Sequence, residues 1–378
     1  MVIWIIDEEW NAYDVEISLL TKAFPGVMFR RSCYDFWHDL EEFGSTVDGL
    51  LAQVNVPLGD EVFSKMPRLK AISLYGTGYE AVDLDAAQKR GIGVRNVTAY
   101  SSEDIAEYVI MGTLFLVRRL PLFLKHNEKS PWGVRAIPAL PHRLSGLTLA
   151  IAGYGHIGRR TALKAKAMGM TVLAYNRSDK SKQMQEDGVI PVTLEEAFIN
   201  GDLVSLHLAA SPDTRHIVDA RVLSLMKKGS YLINTSRGSL LDEKALAGAV
   251  KKGTIAGALL DVVENEPFTA ESPLYGVPQI IVTPHISYAT EESFVKLKQE
   301  AAENLVALMK RGSEGKANDV KKETGMKRMI MALIFLSLLV STFVAGCGID
   351  QRKRDGRTGA SPVKVVPLPY EEGPFPAF

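Results

Sequence analysis

The 378 residues carry 44 basic and 44 acidic side chains, so the formal net charge is zero, and 46% are apolar. A chain of this length outgrows a single core and predicts two domains, while the neutral balance excludes the basic footprint of a nucleic-acid binder. Cys33 and Cys347 are the only cysteines, which excludes a disulfide framework and a thiolate metal cluster; no metal site is expected.

The N-terminal MVIWIIDEEW has no basic run ahead of its apolar stretch, and Asp7 and Glu8 interrupt it, so the body is expected in the cytoplasm. From residue 2 to about 96, VIWII (2–6), VMFRR (27–31), DGLLA (48–52), LKAISL (69–74) and GVRN (93–96) read as strands, with helices over 11–23 and 83–90 between them. Such alternation predicts a parallel sheet covered on both faces. Residues 101–120 open with Ser, Glu and Asp ahead of an apolar run, the start signal of a long helix. Its apolar positions go nearly all round, which predicts burial between domains and permits a dimer interface. After a loop rich in Pro and polar residues (126–146), strands are read at 147–153, 171–176, 203–208, 231–236, 255–263 and 280–286. An amphipathic helix at about 290–311 closes the body.

Gly153-Tyr154-Gly155-His156-Ile157-Gly158 follows the strand at 147–152 and opens a helix. The spacing suits pyrophosphate: one glycine for the tight turn, one for close backbone approach, one for helix–strand packing, with free N–H groups at the helix start. An ordinary glycine-rich turn is the alternative, but strand, turn, helix and second strand arrive at the spacing of a dinucleotide-binding unit. His156 is expected to offer its backbone N–H only. After the second strand, where a ribose-binding Asp or Glu would select NAD, stands Asn176-Arg177-Ser178. An Arg there can pair with a 2′-phosphate and no carboxylate repels it, which favours NADP(H) over NAD(H). The alternative is that Arg177 is simply solvated, and Asp179 lies close enough to blur the choice of cofactor.

Three polar sets fall beyond the carboxyl ends of strands: Asn234-Thr235-Ser236-Arg237-Gly238, Asp261 to Pro267, and Thr283-Pro284-His285. An Arg can hold a carboxylate and polarise a carbonyl, a His can pass a proton to a developing alkoxide, and a carboxylate can orient that imidazole. Those roles suit reduction of a 2-oxo acid. A single His at a strand end is more often structural, and Tyr75, Tyr100 and Trp132 serve a pocket wall or the core equally well.

INTSRG, LLDVVENEP and TPHIS, in that order after GYGHIG, together with GTGYEAVD (76–83) and VRNVTAYSSEDIAEY (94–108), resemble the D-2-hydroxyacid dehydrogenase family over about residues 1–312. The resemblance implies two doubly wound parallel-sheet α/β domains: a flavodoxin-like substrate domain (1–98 and 288–312) and an inserted Rossmann-like cofactor domain (99–287). It implies Arg237 as the substrate-binding Arg, Glu266 as the partner of the acid/base His285, and the amides of Thr77 and Gly78 as the substrate-carboxylate cradle. Asp261 would contact the nicotinamide carboxamide, with His207, Thr214 and Thr235 beside the cofactor. A small 2-oxo or 2-hydroxy acid would be the substrate and a homodimer the assembly. Ala209 stands where the family usually has Pro, and the missing acid after the second cofactor-domain strand withholds a simple assignment of NAD. A dinucleotide-sensing binding protein or corepressor on the same fold is the rival; phosphoglycerate dehydrogenase is disfavoured by the lack of a globular regulatory domain after residue 312, and formate dehydrogenase by Glu266.

Beyond a charged linker (313–325), residues 326–347 change character. Met326, Lys327 and Arg328 precede an uncharged apolar run at 329–347, near the length that spans a bilayer. The run ends in VAGC, which resembles the lipobox of bacterial lipoproteins, and the Pro- and Gly-rich tail 348–378 reads as disordered. The expectations are a fused lipoprotein reading frame or, alternatively, a tail anchor giving membrane association.

Overall fold

The structure, a computed structural model, describes residues 1–6, 12–32, 35–120, 123, 133 and 140–311. Trp132, Cys33 and the linker, apolar run and tail from 313 onward lie outside the described residues. Among the described residues no helix is long and apolar enough to cross a membrane.

Two parallel sheets organise the body. In the first, β1 (Val2–Ile6), β2 (Met28–Arg31), β3 (Gly49–Gln53), β4 (Ala71–Tyr75) and β5 (Gly93–Arg95) lie in the order β2-β1-β3-β4-β5. The central strands VIWII, GLLAQ and AISLY are buried at every position, as a sheet covered on both faces requires. MFRR is largely exposed because β2 is an edge. Alternation along β1 sorts the two covers: Val2, Trp4 and Ile6 join Leu50, Phe63, Ile72 and Leu74 on one face. Ile3 and Ile5 join Leu51 and Leu20 on the other, under Leu297, Ala301, Ala302 and Leu305 of the helix Glu291–Arg311. The last described helix therefore returns to complete the first lobe.

The second sheet has β6 (Thr148–Ala152), β7 (Thr171–Tyr175), β8 (Ile190–Pro191), β9 (Leu203–Leu206), β10 (Ser230–Asn234), β11 (Ile255–Leu260) and β12 (Ile280–Val282), ordered β12-β11-β10-β9-β6-β7-β8. The order reverses beside β6, the switch point at which doubly wound sheets bind ligands. The two lobes are thus the doubly wound α/β architecture the resemblance implies. The helix Ser102–Val117 packs closely on this sheet: a Cβ built on Gly112 would lie 2.3 Å from Leu259 Cδ2, so a larger residue there would force the Leu259 side chain to move.

Three strands end earlier than their apolar runs suggest. Val262 and Val263 are buried but sit beneath a loop rather than in the ladder, because Asp261 turns to bind residues 283–287. Beyond Val282 the chain bends at His285, whose φ is +57°. After β10, Ser236 N–H donates to Asn234 Oδ1 instead of a neighbouring strand. The short helices Phe36–Phe43, Asp60–Ser64 and Leu194–Asn200, and the two-residue β8, were not legible as periodic segments.

Candidate active site

A cleft of about 1100 Å³ is walled by both lobes, with Tyr75, Thr77, Gly78 and Tyr100 on one side and Thr235, Arg237, Asp261, Glu266 and His285 on the other. Arg237, Glu266 and His285 follow β10, β11 and β12, which are neighbours, so residues distant in sequence leave one sheet edge together. Tyr75 and Tyr100 do line the cleft; the Tyr75 hydroxyl donates to Glu16 Oε1 at 2.9 Å beneath it.

The loop bearing Arg237 is tied at both ends. Asn234 Nδ2 donates to Arg237 O at 2.9 Å, and Ser236 Oγ donates to Leu206 O at 2.7 Å. A Cβ on Gly238 would lie 1.9 Å from Val263 C and 2.2 Å from Glu264 N, so this loop meets the one bearing Glu266 only because 238 has no side chain. Within the guanidinium, Nη1 donates to Ser236 O at 2.7 Å.

His285 Nδ1 lies 3.0 Å from Glu266 Oε2. Burial raises the Glu266 carboxyl, but the hydrogen bond and charge of His285, the Val263 N–H and the charge of Arg237 outweigh it and hold the group below the usual carboxylate range. An ionised carboxylate only accepts, so Nδ1 carries the proton and Nε2 is left without a hydrogen-bond partner among the described residues. The left-handed backbone of His285 is held by its own N–H, which reaches Asp261 O and Thr283 O, both at 2.9 Å.

Asp261, buried at the cleft wall, anchors that loop. Its Oδ1 accepts from Thr283 Oγ1 (2.7 Å) and Ile286 N–H (2.9 Å), and its Oδ2 from Ser287 N–H (2.8 Å). Tyr108, on the helix Ser102–Val117, donates to Thr283 Oγ1 at 2.7 Å. Sequence reasoning missed Tyr108, and with it the link to Thr283, because the signal is a hydroxyl chain formed between residues 175 apart in sequence. It also missed Glu80, although an acid beside the Gly76–Gly78 turn was visible in GTGYEAVD.

On the cofactor side the glycines of the turn are all structurally demanded or open. A Cβ on Gly153 (φ +108°) would lie 2.3 Å from His207 O, and one on Gly158 2.0 Å from Gly153 O, whereas one on Gly155 would meet nothing within 4 Å. Gly155 caps the helix His156–Ala167, so its open side faces free helix N–H groups, as a pyrophosphate cradle requires. Ile157 and His207 reach the cleft, and the buried Thr235 Oγ1 beside them has no hydrogen-bond partner among the described residues. These features fit a dinucleotide. Burial pushes the His207 imidazole down to about 3, and its Nε2 lies 2.9 Å from Ser205 Oγ, so the ring is neutral.

Thr214 is not brought to the cleft: its hydroxyl donates to Ala209 O at 2.9 Å and shapes its own loop. Asn176 Oδ1 accepts from Tyr154 N–H, and its Nδ2 donates to Ser178, each at 2.9 Å, so Asn176 braces the glycine turn. No ion pair joins Asp179 to Arg177 among the described residues. The Asp179 carboxylate accepts from Ser181 N–H at 2.9 Å, which lowers its pKa, and Arg177 stands exposed with no partner among the described residues.

Residues 110–287 match the family model described as D-isomer specific 2-hydroxyacid dehydrogenase, NAD binding domain. A glyoxylate reductase of Thermococcus litoralis is 36% identical over 269 residues, which cover 70% of this chain and 81% of the reductase. A D-lactate dehydrogenase from Aquifex aeolicus, solved with NAD and lactic acid, superposes with a TM-score of 0.71 at 29% identity, covering 82% of this chain and 96% of that one. An acyclic imino acid reductase solved with NADPH and D-Arg gives 0.71 at 26% identity, covering 84% and 99%.

Proposed function

The chain belongs to the D-isomer-specific 2-hydroxyacid dehydrogenase family, whose members are NAD(P)-dependent oxidoreductases of small 2-oxo and 2-hydroxy acids, and from that premise we propose the roles of its own residues. Residues 1–98 and 288–312 form the substrate domain and residues 99–287 the cofactor domain. Arg237 and the N–H groups of Thr77 and Gly78 hold the substrate carboxylate; those two N–H groups donate to no protein acceptor among the described residues, which supports the reading. As the imidazolium, His285 gives its Nε2 proton to the substrate carbonyl oxygen in reduction; as the neutral ring with Nδ1–H turned to Glu266 it takes the proton at Nε2 in oxidation, and the Glu266 carboxylate orients the ring in both states. Gly153–Gly158, Thr235 and Asp261 would hold a nicotinamide dinucleotide, which would supply hydride chemistry at the substrate carbon. The observation that carries the proposal is the His285–Glu266 pair at 3.0 Å in a cleft shared with Arg237.

An Arg at 177 and the lack of a carboxylate at positions 176–178 support NADP(H) over NAD(H). Exposed Met111 and Leu114 on the helix Ser102–Val117 support a homodimer through that face. For the segment 329–347 the reading stays with the fused lipoprotein frame, and the catalytic body is taken as cytoplasmic. Crossing NADH and NADPH against glyoxylate, hydroxypyruvate and pyruvate, followed by nicotinamide absorbance, tests the function. The expected result is turnover that is faster with NADPH; cofactor binding without reduction of any 2-oxo acid would favour a sensing protein instead.

A further inference from the structure

The arginine assigned to the substrate carboxylate already faces a carboxylate of the protein itself. Glu80 Oε1 lies 3.4 Å from Arg237 Nε, and Glu80 Oε2 accepts from Tyr79 N–H at 2.8 Å. The two charged groups converge on Gly78: a Cβ built there would lie 2.8 Å from Glu80 Oε2 and 2.9 Å from Arg237 Nη2. Glu80 thus occupies one flank of the guanidinium an incoming substrate carboxylate needs, while the Thr77 and Gly78 N–H groups beside it stay open among the described residues. One N–H of Arg237 Nη1 goes to Ser236 O and Nε faces Glu80, so a substrate carboxylate that pairs with the Nε flank of the guanidinium has to displace Glu80. The Glu80 side chain is 58% exposed, so it can swing into water without unpacking anything.

We propose that Glu80 is an internal stand-in for the substrate carboxylate, seated on Arg237 in the free enzyme and displaced when a 2-oxo acid binds. The contact keeps simple anions off the arginine, because a ligand that offers only a carboxylate gains little by replacing one already there. A 2-oxo acid also engages His285 through its carbonyl and so wins the exchange. Glu80 is a positioning residue, acting on substrate through Arg237. The inference rests on the reading of Arg237 as the carboxylate-binding group.

The test uses the full chain with saturating NADPH, glyoxylate as substrate and acetate as a competing monocarboxylate. A half-exposed ion pair is worth a fraction of a kcal/mol to about 1 kcal/mol, so Glu80→Gln should lower the KM for glyoxylate about two- to five-fold. The acetate inhibition constant should fall by the same factor, and kcat should change by less than KM. Glu80→Ala, which also clears that flank of the arginine, should move both constants in the same direction. Arg237→Ala checks the underlying reading by raising the glyoxylate KM at least ten-fold. An unchanged KM in Arg237→Ala removes the carboxylate assignment and the inference with it. If Arg237→Ala raises KM while Glu80→Gln and Glu80→Ala leave KM and acetate inhibition unchanged or weaker, the assignment stands and the stand-in role is overturned.

Discussion

His285 is placed by three independent restraints: the Glu266 carboxylate on its ring, the Asp261 and Thr283 carbonyls on its N–H, and a left-handed backbone. Removing only the ring leaves the loop intact, so His285→Ala should lower kcat about 10²- to 10⁴-fold, the range of a general acid/base. NADPH fluorescence titration should show cofactor binding nearly unchanged; weak binding would put His285 in the wrong role. Glu266 titrates below its unfolded value, so its support for the pair is complete above about pH 4.5 and disappears as pH falls through the lower folded value. Activity loss between pH 5 and 8 therefore does not come from Glu266, and an acid limb in that window should persist in Glu266→Asp. His207 has the same sign at a higher window. Its contribution is present above about pH 6.5 and lost as pH falls towards 3, at less than ~1.4 kcal/mol per unit because the ring keeps contact with the cleft. His207→Asn should flatten the fall of the melting temperature between pH 6.5 and 5. At the other end of the cofactor site, Arg177→Asp should reverse the ratio of kcat/KM for NADPH over NADH by about ten-fold or more, the worth of a charged hydrogen bond.

At the scale of elements, the helix Ser102–Val117 does more than fill space between the sheets. Its Tyr108 reaches Thr283, which reaches Asp261, and Asp261 holds both flanks of His285. Tyr108→Phe should cost about 1 kcal/mol of stability, the net value of one such hydrogen bond, and should reduce kcat a few-fold more than it changes KM. Calorimetry and steady-state kinetics check the two halves. The helix itself was legible in SSEDIAEY and its apolar run, as were nearly all the long strands, because buried parallel strands are continuous apolar segments. That Arg237, Glu266 and His285 leave one sheet edge together was legible because each follows such a strand, while their roles came from the family resemblance. What escaped was whatever depends on contact between segments. Val262 and Val263 are apolar without being strand, Thr214 serves its own loop, and Asn176 braces the glycine turn through Tyr154. Edge elements such as β8 escaped for another reason: two residues cannot show a period.

Every residue lining the cleft falls between Gln53 and Leu297. A protein ending at Arg311 should therefore keep kcat/KM for glyoxylate within about two-fold of the full chain. Cell fractionation of the full chain and of this shorter form would show whether 329–347 directs the protein to a membrane fraction. The helix Glu291–Arg311 carries a different consequence, one that concerns synthesis. Ile3, Ile5 and Leu51 emerge from the ribosome first, yet Leu297, Ala301 and Leu305, which cover them, come nearly at the end of the described body. The earliest sheet to be translated is left with a bare oily flank while the whole second lobe is made.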